Sequence, residues 1–501
     1  MKYIKVIFFL IIGFLYSCTS EDDKLNIEDN ITIENLAPKN FEITIKDISH
    51  SSAKITWNAA IDPENDQVKY DIYLNNVKVF SDITNLEIIF ENLEELKNYS
   101  GYIIAKDTHD NETRSDFNFI TFKYYLKFIK DYDYGPNKSD GEISSIVLTD
   151  DNNYLVSGIH SSNVFVFKIN TEGDLIWSKY LNFFDERFYL SGNKPIEIIN
   201  SNNNGSILTY KHYLIQLDKN GNEIWRKDFR EIYGNDKIIL LESLKYDNQN
   251  NLIVVGSQFK QGTRDRIKGA VVKFSPNKNL LWFESYELDY FNYILDFALD
   301  KNNNNNMIIY GSTTLEDDEY GRYSSAKFWL FKIDQDGNKI FEKKFGDGHC
   351  IPLKIINTMD NNFVIQGFWL GAYDRRFDII NKIDQEGNFI WEKTFERDEI
   401  VQSSVAELSN SDILISGKIA SGGLGVSNIA YIKLSSSTGE NIWNKHIPFD
   451  YSYTNGVDIV GTNDGGFAIL SNFSKNFYEY YSKYPNPKIL LLKSDPDGNI
   501  N

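Results

Sequence analysis

The stretch FKIDQDGNKIFEKKF (331–345) reads as a strand, a tight Asp-Gly-Asn turn and a second strand with an aromatic residue near its start. Asp-Gly and Asn-Gly accept the positive φ that short hairpins demand, and β-prone residues on either side mark the two arms. The pattern returns as FKINTEGDLIWSKYL (167–181), IQLDKNGNEIWRKDF (215–229), VKFSPNKNLLWFESY (272–286), NKIDQEGNFIWEKTF (381–395) and IKLSSSTGENIWNKHI (432–447), with a last partial copy, LLKSDPDGNIN (491–501). The recurring rings are Trp177, Trp225, Trp282, Phe341, Trp391 and Trp443, spaced by 48, 57, 59, 50 and 52 residues. Each interval holds about one four-stranded blade.

Another strand pair precedes each hairpin, as in SSIVLTDDNNYLVSGIH (144–160), PLKIINTMDNNFVIQGFW (352–369) and SVAELSNSDILISGKI (404–419). A glycine recurs at one phase of the second strand (Gly158, Gly256, Gly311, Gly367, Gly417), with Tyr210 and Ser471 in the other two units. Glycine inside a strand points to close approach by a neighbouring backbone. The seventh unit stops where its outermost strand should begin, and YYLKFIKDYDYG (124–135) supplies a candidate for it, with Phe128 49 residues before Trp177. The expectation is an all-β chain whose residues 124–501 form a seven-bladed β-propeller closed by an N-terminal strand, leaving no exposed edge around the ring.

The Gly-x-Asn-Ile-Trp pattern, sharpest in STGENIW (437–443), resembles the tryptophan-docking motif of quinoprotein-like propellers. The resemblance implies that each indole packs between blades. Quinone-dependent dehydrogenases of that family also need a bound calcium, a cofactor cavity and usually a vicinal cysteine pair. Cys350 stands alone, so no cofactor and no enzymatic role are expected on this count.

Ahead of the repeats, residues 36–122 read as short strands broken by turns. AKITWNAA (53–60) puts Trp57 mid-strand, VKYDIYL (68–74) carries Tyr70, and Leu93, Leu96 and Tyr99 precede an alternating strand. These marks resemble a fibronectin type III domain, in which the tyrosine bonds back across the sandwich corner. The implied role is a spacer. Asp62, Glu64 and Asp66 have the look of a calcium loop, but a proline-led turn accounts for them.

Met1 to Lys5 carries two lysines, and VIFFLIIGFLY (6–16) is an apolar run suited in length to a signal-peptide core and too short to span a bilayer. It ends in Leu15-Tyr16-Ser17-Cys18, which resembles a bacterial lipobox despite Tyr16. Residues 1–17 are then a signal peptide, Cys18 the lipidated residue and 18–35 an acidic tether. TSEDDKLNIEDN behind the cysteine resembles the surface-export signal of Bacteroidota lipoproteins. The implied place is the outer membrane, lipid-anchored and facing the cell surface, since two or more acyl chains make a stable anchor.

The 501 residues carry 71 acidic and 52 basic side chains, a net charge of −19. Such a surface repels phosphate backbones, so nucleic acid is not an expected partner. Hydrophobic residues at 42% exclude global disorder. Histidines 50, 109, 160, 212, 349 and 446 show no metal-ligand spacing, and no metal is expected. The DQDGN, DQEGN and DPDGN turns offer too few oxygens for calcium and suit tight hairpins. SGGLGV (421–426) lies between strands, not at the start of a helix, which argues against phosphate binding. No carboxylate pair among so many acids stands out as acid and base, and no catalytic residue is assigned.

One asymmetry does point to function. Turns between first and second strands are short and polar (TDDNN, SNNNG, DNQNN, TMDNN, TNDGG), whereas loops on the opposite propeller face are longer and rich in rings. These include LEDDEYGRYSSAKF (315–328), WLGAYDRRF (369–377), FSKNFYEYYSKYPNP (473–487), LNFFDERFYL (181–190) and FDYSYTNG (449–456). Tyr320, Tyr323, Trp369, Tyr373, Tyr451, Tyr453, Tyr478 and Tyr481 are the expected ligand-binding residues, because such rings stack on sugars or anchor proteins. The expected function is a non-catalytic surface lipoprotein that binds a glycan. A protein-interaction scaffold of the envelope and a propeller hydrolase or lyase are the alternatives.

Overall fold

The computed structural model describes residues 35–133, 141–160, 163–183, 196–201, 205–230, 237–260, 267–300, 305–314, 326–346, 348–371, 375–396, 399–420, 427–447, 453–474 and 488–500. Every extended element among them is a β-strand, and the chain divides into two compact units, one through Tyr124 and one from Tyr125 onward.

The first unit has strands β1 (Ile43–Lys46), β2 (Ala53–Trp57), β3 (Lys69–Leu74), β4 (Val77–Ile83), β5 (Glu87–Phe90), β6 (Asn98–Lys106) and β7 (Glu112–Ile120). They form a three-stranded sheet, β1-β2-β5, and a four-stranded one, β4-β3-β6-β7, every pairing antiparallel. Alternation along β2 and β6 buries every second residue, and Trp57, Tyr70, Phe90, Tyr99, Phe117 and Phe119 pack into one core. Tyr99 turns its ring inward while its hydroxyl accepts the Glu94 N–H at 2.8 Å. Leu96, two residues beyond Glu94, sits at a positive φ of 52° and is 63% exposed.

The second unit contains seven four-stranded antiparallel sheets. Six are contiguous in sequence, spanning residues 141–181, 196–228, 237–286, 291–345, 349–395 and 401–447. The seventh joins three strands between residues 453 and 494 to β8 (Phe128–Asp133), which pairs antiparallel with the last of them from Lys493↔Phe128 to Lys488↔Asp133. The first strands of successive sheets touch one another, and the first strand of the seventh touches that of the first. Seven such sheets in a closed cycle are consistent with a seven-bladed β-propeller, numbered here blades 1 to 7.

Burial explains the strand composition. Second and third strands are buried almost throughout and mostly apolar, as in YLVSGIH (154–160) and KFWLFKI (327–333), because both faces of a blade are covered by its neighbours. Fourth strands alternate and form the rim. The recurring glycine has a local cause. In blades 3, 4 and 5 the first strand carries a bulge opposite it, and that bulge pushes a carbonyl into the space a side chain would need. A Cβ at Gly256 would lie 1.9 Å from Leu240 O, and one at Gly311 would lie 2.0 Å from Tyr293 O.

Candidate functional site

The rim aromatics hold blade to blade. The indole Nε1–H of Trp177 donates to Lys219 O at 3.2 Å, that of Trp282 to Gln335 O at 3.1 Å and that of Trp391 to Ser436 O at 2.9 Å, each carbonyl lying in the next blade's hairpin turn. The ring also covers that turn's left-handed glycine: a Cβ on Gly221 would lie 2.7 Å from Trp177, and one on Gly439 2.8 Å from Trp391. Phe128 on β8 covers Gly173 of blade 1 in the same way, so the last blade docks on the first through the closing strand. Where an Asp heads such a turn, it is engaged locally. Asp334 Oδ1 accepts the N–H groups of Asp336 and Asn338, and its Oδ2 accepts the Asn338 amide.

A second repeated device lies beneath the same turns and went unread in the sequence. In six blades the penultimate residue of the third strand is a buried lysine (Lys168, Lys273, Lys332, Lys382, Lys433, Lys493). Each pairs with an aspartate of its own blade's first turn: Asp151, Asp247, Asp300, Asp360, Asp412 and Asp464, at 2.6 to 3.1 Å. Blade 2 has Gln216 at this place. The ammonium group then reaches into the next blade, Lys332 to Gln385 O at 3.1 Å and Lys382 to Ser436 O at 2.9 Å. Partial burial pushes the Asp360 carboxyl up, but Lys382, Thr358 and Asn362 outweigh it and hold the group down at about 2. The short polar turns of this face are thus joined to one another by ion pairs and hydrogen bonds.

Around the axis, one residue per blade occupies the same register position on the first strand, opposite the residue just before the glycine phase. The seven are Ser145, Glu197, Ser243, Asp296, Lys354, Ser404 and Asp458. Asp296 Oδ1 accepts from Ser243 at 2.7 Å and from Lys245 at 2.6 Å, while its Oδ2 accepts the Ile355 N–H at 2.9 Å, which links blades 3, 4 and 5. Asp458 Oδ1 accepts from Ser404 at 2.8 Å and from Lys354 at 3.1 Å, and its Oδ2 accepts the Ile146 N–H at 3.0 Å, linking blades 5, 6, 7 and 1. Both carboxylates are buried with donors on each oxygen. They tie the first strands of neighbouring blades together.

On the opposite face, Trp369 is the penultimate residue of the second strand of blade 5. It stacks on Phe377 with centroids 4.2 Å apart and planes 15° from parallel, half-buried against the cluster around Cys350 and Phe363. A Cβ on Gly371 would meet its ring at 2.8 Å, so the indole covers loop backbone. Tyr320, Tyr323, Tyr373, Tyr451, Tyr478 and Tyr481 lie outside the described residues, as does Cys18; Tyr453 opens a strand of blade 7, but its side chain is likewise outside the description.

Blade 2 supplies rings that the spacing did not single out. Its second and third strands are joined by only Lys211 and His212, and beside that turn Phe183 packs on Tyr210 at 4.6 Å and on Tyr213 at 5.3 Å. The Arg226 guanidinium lies 4.5 Å from the Phe183 centroid, and Arg230 donates to Tyr213 Oη at 3.1 Å. Each arginine also pairs with a carboxylate, Arg226 with Glu223 at 2.7 Å and Arg230 with Asp228 at 2.6 Å, so the charge over these rings is balanced. The sequence signal was present in WRKDFR (225–230), where basic residues are interleaved with rings.

No family model and no curated protein matches the chain. Several solved structures are similar in fold. A virginiamycin B lyase from Staphylococcus aureus aligns at 12% identity and a TM-score of 0.44, covering 73% of this chain and 99% of its own. An apocarotenoid oxygenase from Synechocystis aligns at 11% and 0.41, covering 74% and 92%. A quinoprotein alcohol dehydrogenase-like protein from Bacteroides thetaiotaomicron aligns at 10% and 0.38, covering 84% and 95%. The likeness is one of β-propeller architecture, and no lyase, oxygenase or dehydrogenase chemistry follows from it.

Proposed function

We propose that the chain is a non-catalytic, lipid-anchored surface protein that binds a glycan through the aromatic loop face of its propeller. The observation that carries this reading is the contrast between the two faces. On the turn face, lysines, aspartates and turn carbonyls bond one another from blade to blade. Across the ring, Trp369 of blade 5 and Phe183 and Tyr213 of blade 2 leave part of their rings exposed, and each stands next in sequence or in its blade to connections rich in aromatic residues. Acyl chains on Cys18 anchor the protein, residues 18–35 form the tether, and residues 36–122 act as a fibronectin type III-like spacer. The test is calorimetric titration of the detergent-solubilised full chain with neutral and uronic-acid oligosaccharides. Saturable binding supports the reading, and none across both classes overturns it.

A protein partner is the second reading, favoured by a separate observation. The residue just before each rim aromatic is an aliphatic about half exposed (Ile176, Ile224, Leu281, Ile340, Ile390, Ile442), which gives six blades an apolar contact point on the perimeter. Crosslinking on intact cells distinguishes the two, because only this reading predicts a single recurrent protein adduct mapping to that perimeter.

A further inference from the structure

We propose that the first unit binds a divalent transition-metal cation of the Zn2+ class between the turn after β2 and the β6–β7 hairpin. This goes beyond the glycan reading and is independent of it. A carboxylate oxygen of Asp66, one of Asp107 and a ring nitrogen of His109 all lie within 4.8 Å of one another. Asp66 Oδ2 stands 3.0 Å from His109 Nδ1. A shared ion about 2.1 Å from each donor would set the two about 3.0–3.4 Å apart, so the pair needs little movement to become two ligands.

A different residue supplies the second observation. Asp62 is only 3% exposed, and its Oδ2 has no hydrogen-bond partner. Its other oxygen accepts the N–H of Asp66 at 2.9 Å and that of Glu64 at 3.0 Å, which places the carboxylate inside the turn that carries Asp66. A buried carboxylate oxygen without a donor is costly, the more so beside other carboxylates. A cation at the Asp66–Asp107–His109 cluster relieves that cost. It would neutralise Asp66 and Asp107, and Asp66 is the residue whose N–H the other Asp62 oxygen accepts.

The donor set selects the metal. Calcium takes oxygen ligands, six to eight of them, whereas imidazole with carboxylates suits zinc and its neighbours in the first row. His109 is exposed and its ring can turn, and water completes the shell on the open side. Asp107 is held by His109 N–H at 2.8 Å, by Asn111 N–H and side-chain amide, each at 2.9 Å, and by the Asn35 amide. Residues 62 and 109 are too distant in sequence for any spacing rule to connect them.

The test is calorimetric titration of chelator-treated full-length protein with zinc chloride, repeated with calcium chloride, on the parent and on His109→Ala, Asp66→Asn and Asp62→Asn. Circular dichroism checks that each variant is folded; the His109 ring is exposed, so His109→Ala keeps the test decisive should either aspartate variant misfold. The proposal expects one zinc site per chain, at least tenfold weaker in His109→Ala and Asp66→Asn, and weaker also in Asp62→Asn. It is overturned by the lack of a saturable zinc site or by unchanged zinc affinity in His109→Ala. Calcium binding tighter than zinc and indifferent to His109 also overturns it, as that marks an oxygen-only site.

Discussion

Replacing Lys332 by Met tests whether the buried lysines hold the propeller together. Lys332 Nζ lies 2.8 Å from Asp300 Oδ2, with side chains 7% and 1% exposed, and also donates to Gln385 O at 3.1 Å in the next blade. Breaking a buried pair by removing one partner costs about 3–5 kcal/mol, mostly because the remaining charge has lost its compensation. Methionine keeps the volume, so little of the loss comes from a cavity. The double variant Lys332→Met, Asp300→Leu should recover most of the loss, since removing both charges removes the desolvation penalty as well. Urea denaturation followed by tryptophan fluorescence reads the effect on the propeller, because seven of the eight tryptophans lie beyond Tyr124. A single-variant loss below about 1 kcal/mol, or a double variant as unstable as the sum of two singles, would refute the argument that these pairs are buried struts.

Other expectations follow from the same geometry. Trp391, 8% exposed and bonded to Ser436 O, should cost roughly 3–5 kcal/mol on truncation to Ala, whereas the half-buried Trp369 should cost less; equal melting temperatures for the two variants would contradict the docking role. Deleting residues 124–134 removes β8 and its cover over Gly173, so the propeller should melt at lower temperature; an unchanged melt would place the closing strand elsewhere. The Asp360 carboxyl is held down at about 2, against about 3.9 for a free aspartate, so its contribution is complete above pH 4 and lost as pH falls through 2. Melting temperature should therefore drop across that window in the parent and drop less in Lys382→Met; a rise on acidification would reverse the sign. Cys18→Ser should release the protein from washed membranes, and continued membrane fractionation would refute the anchor.

The ring was legible because its signals are local and repeated. A turn glycine, a rim tryptophan and an alternating strand all fall within fifteen residues, and seven copies reinforce one another. The closing strand could be read by phase, since Phe128 continues the same spacing. The lysine–aspartate pairs were not legible. A lysine near the end of a strand reads as a snorkelling side chain, and its partner sits in a turn 17 to 32 residues earlier among many other acids. The axial ring was hidden twice over: its members alternate among Ser, Glu, Asp and Lys, and the bulges shift the register that would align them. Trp369 was recognised as a loop-face aromatic, but not the Phe377 stack that covers one of its faces, because a strand's sequence does not say which ring its hairpin partner presents. The blade-2 rings depend on a tertiary contact between Phe183 and Tyr210 that no local pattern encodes.

The central claim is that the loop face binds a glycan. The most direct measurement is titration of oligosaccharides into the full chain and into an Arg226→Ala, Tyr213→Ala double variant, with melting temperature recorded for each. The account predicts saturable binding by the parent and an affinity loss of at least tenfold in the variant, a change of about 1.4 kcal/mol. Saturable binding that the variant leaves untouched, or no sugar bound while an envelope protein copurifies, would contradict it.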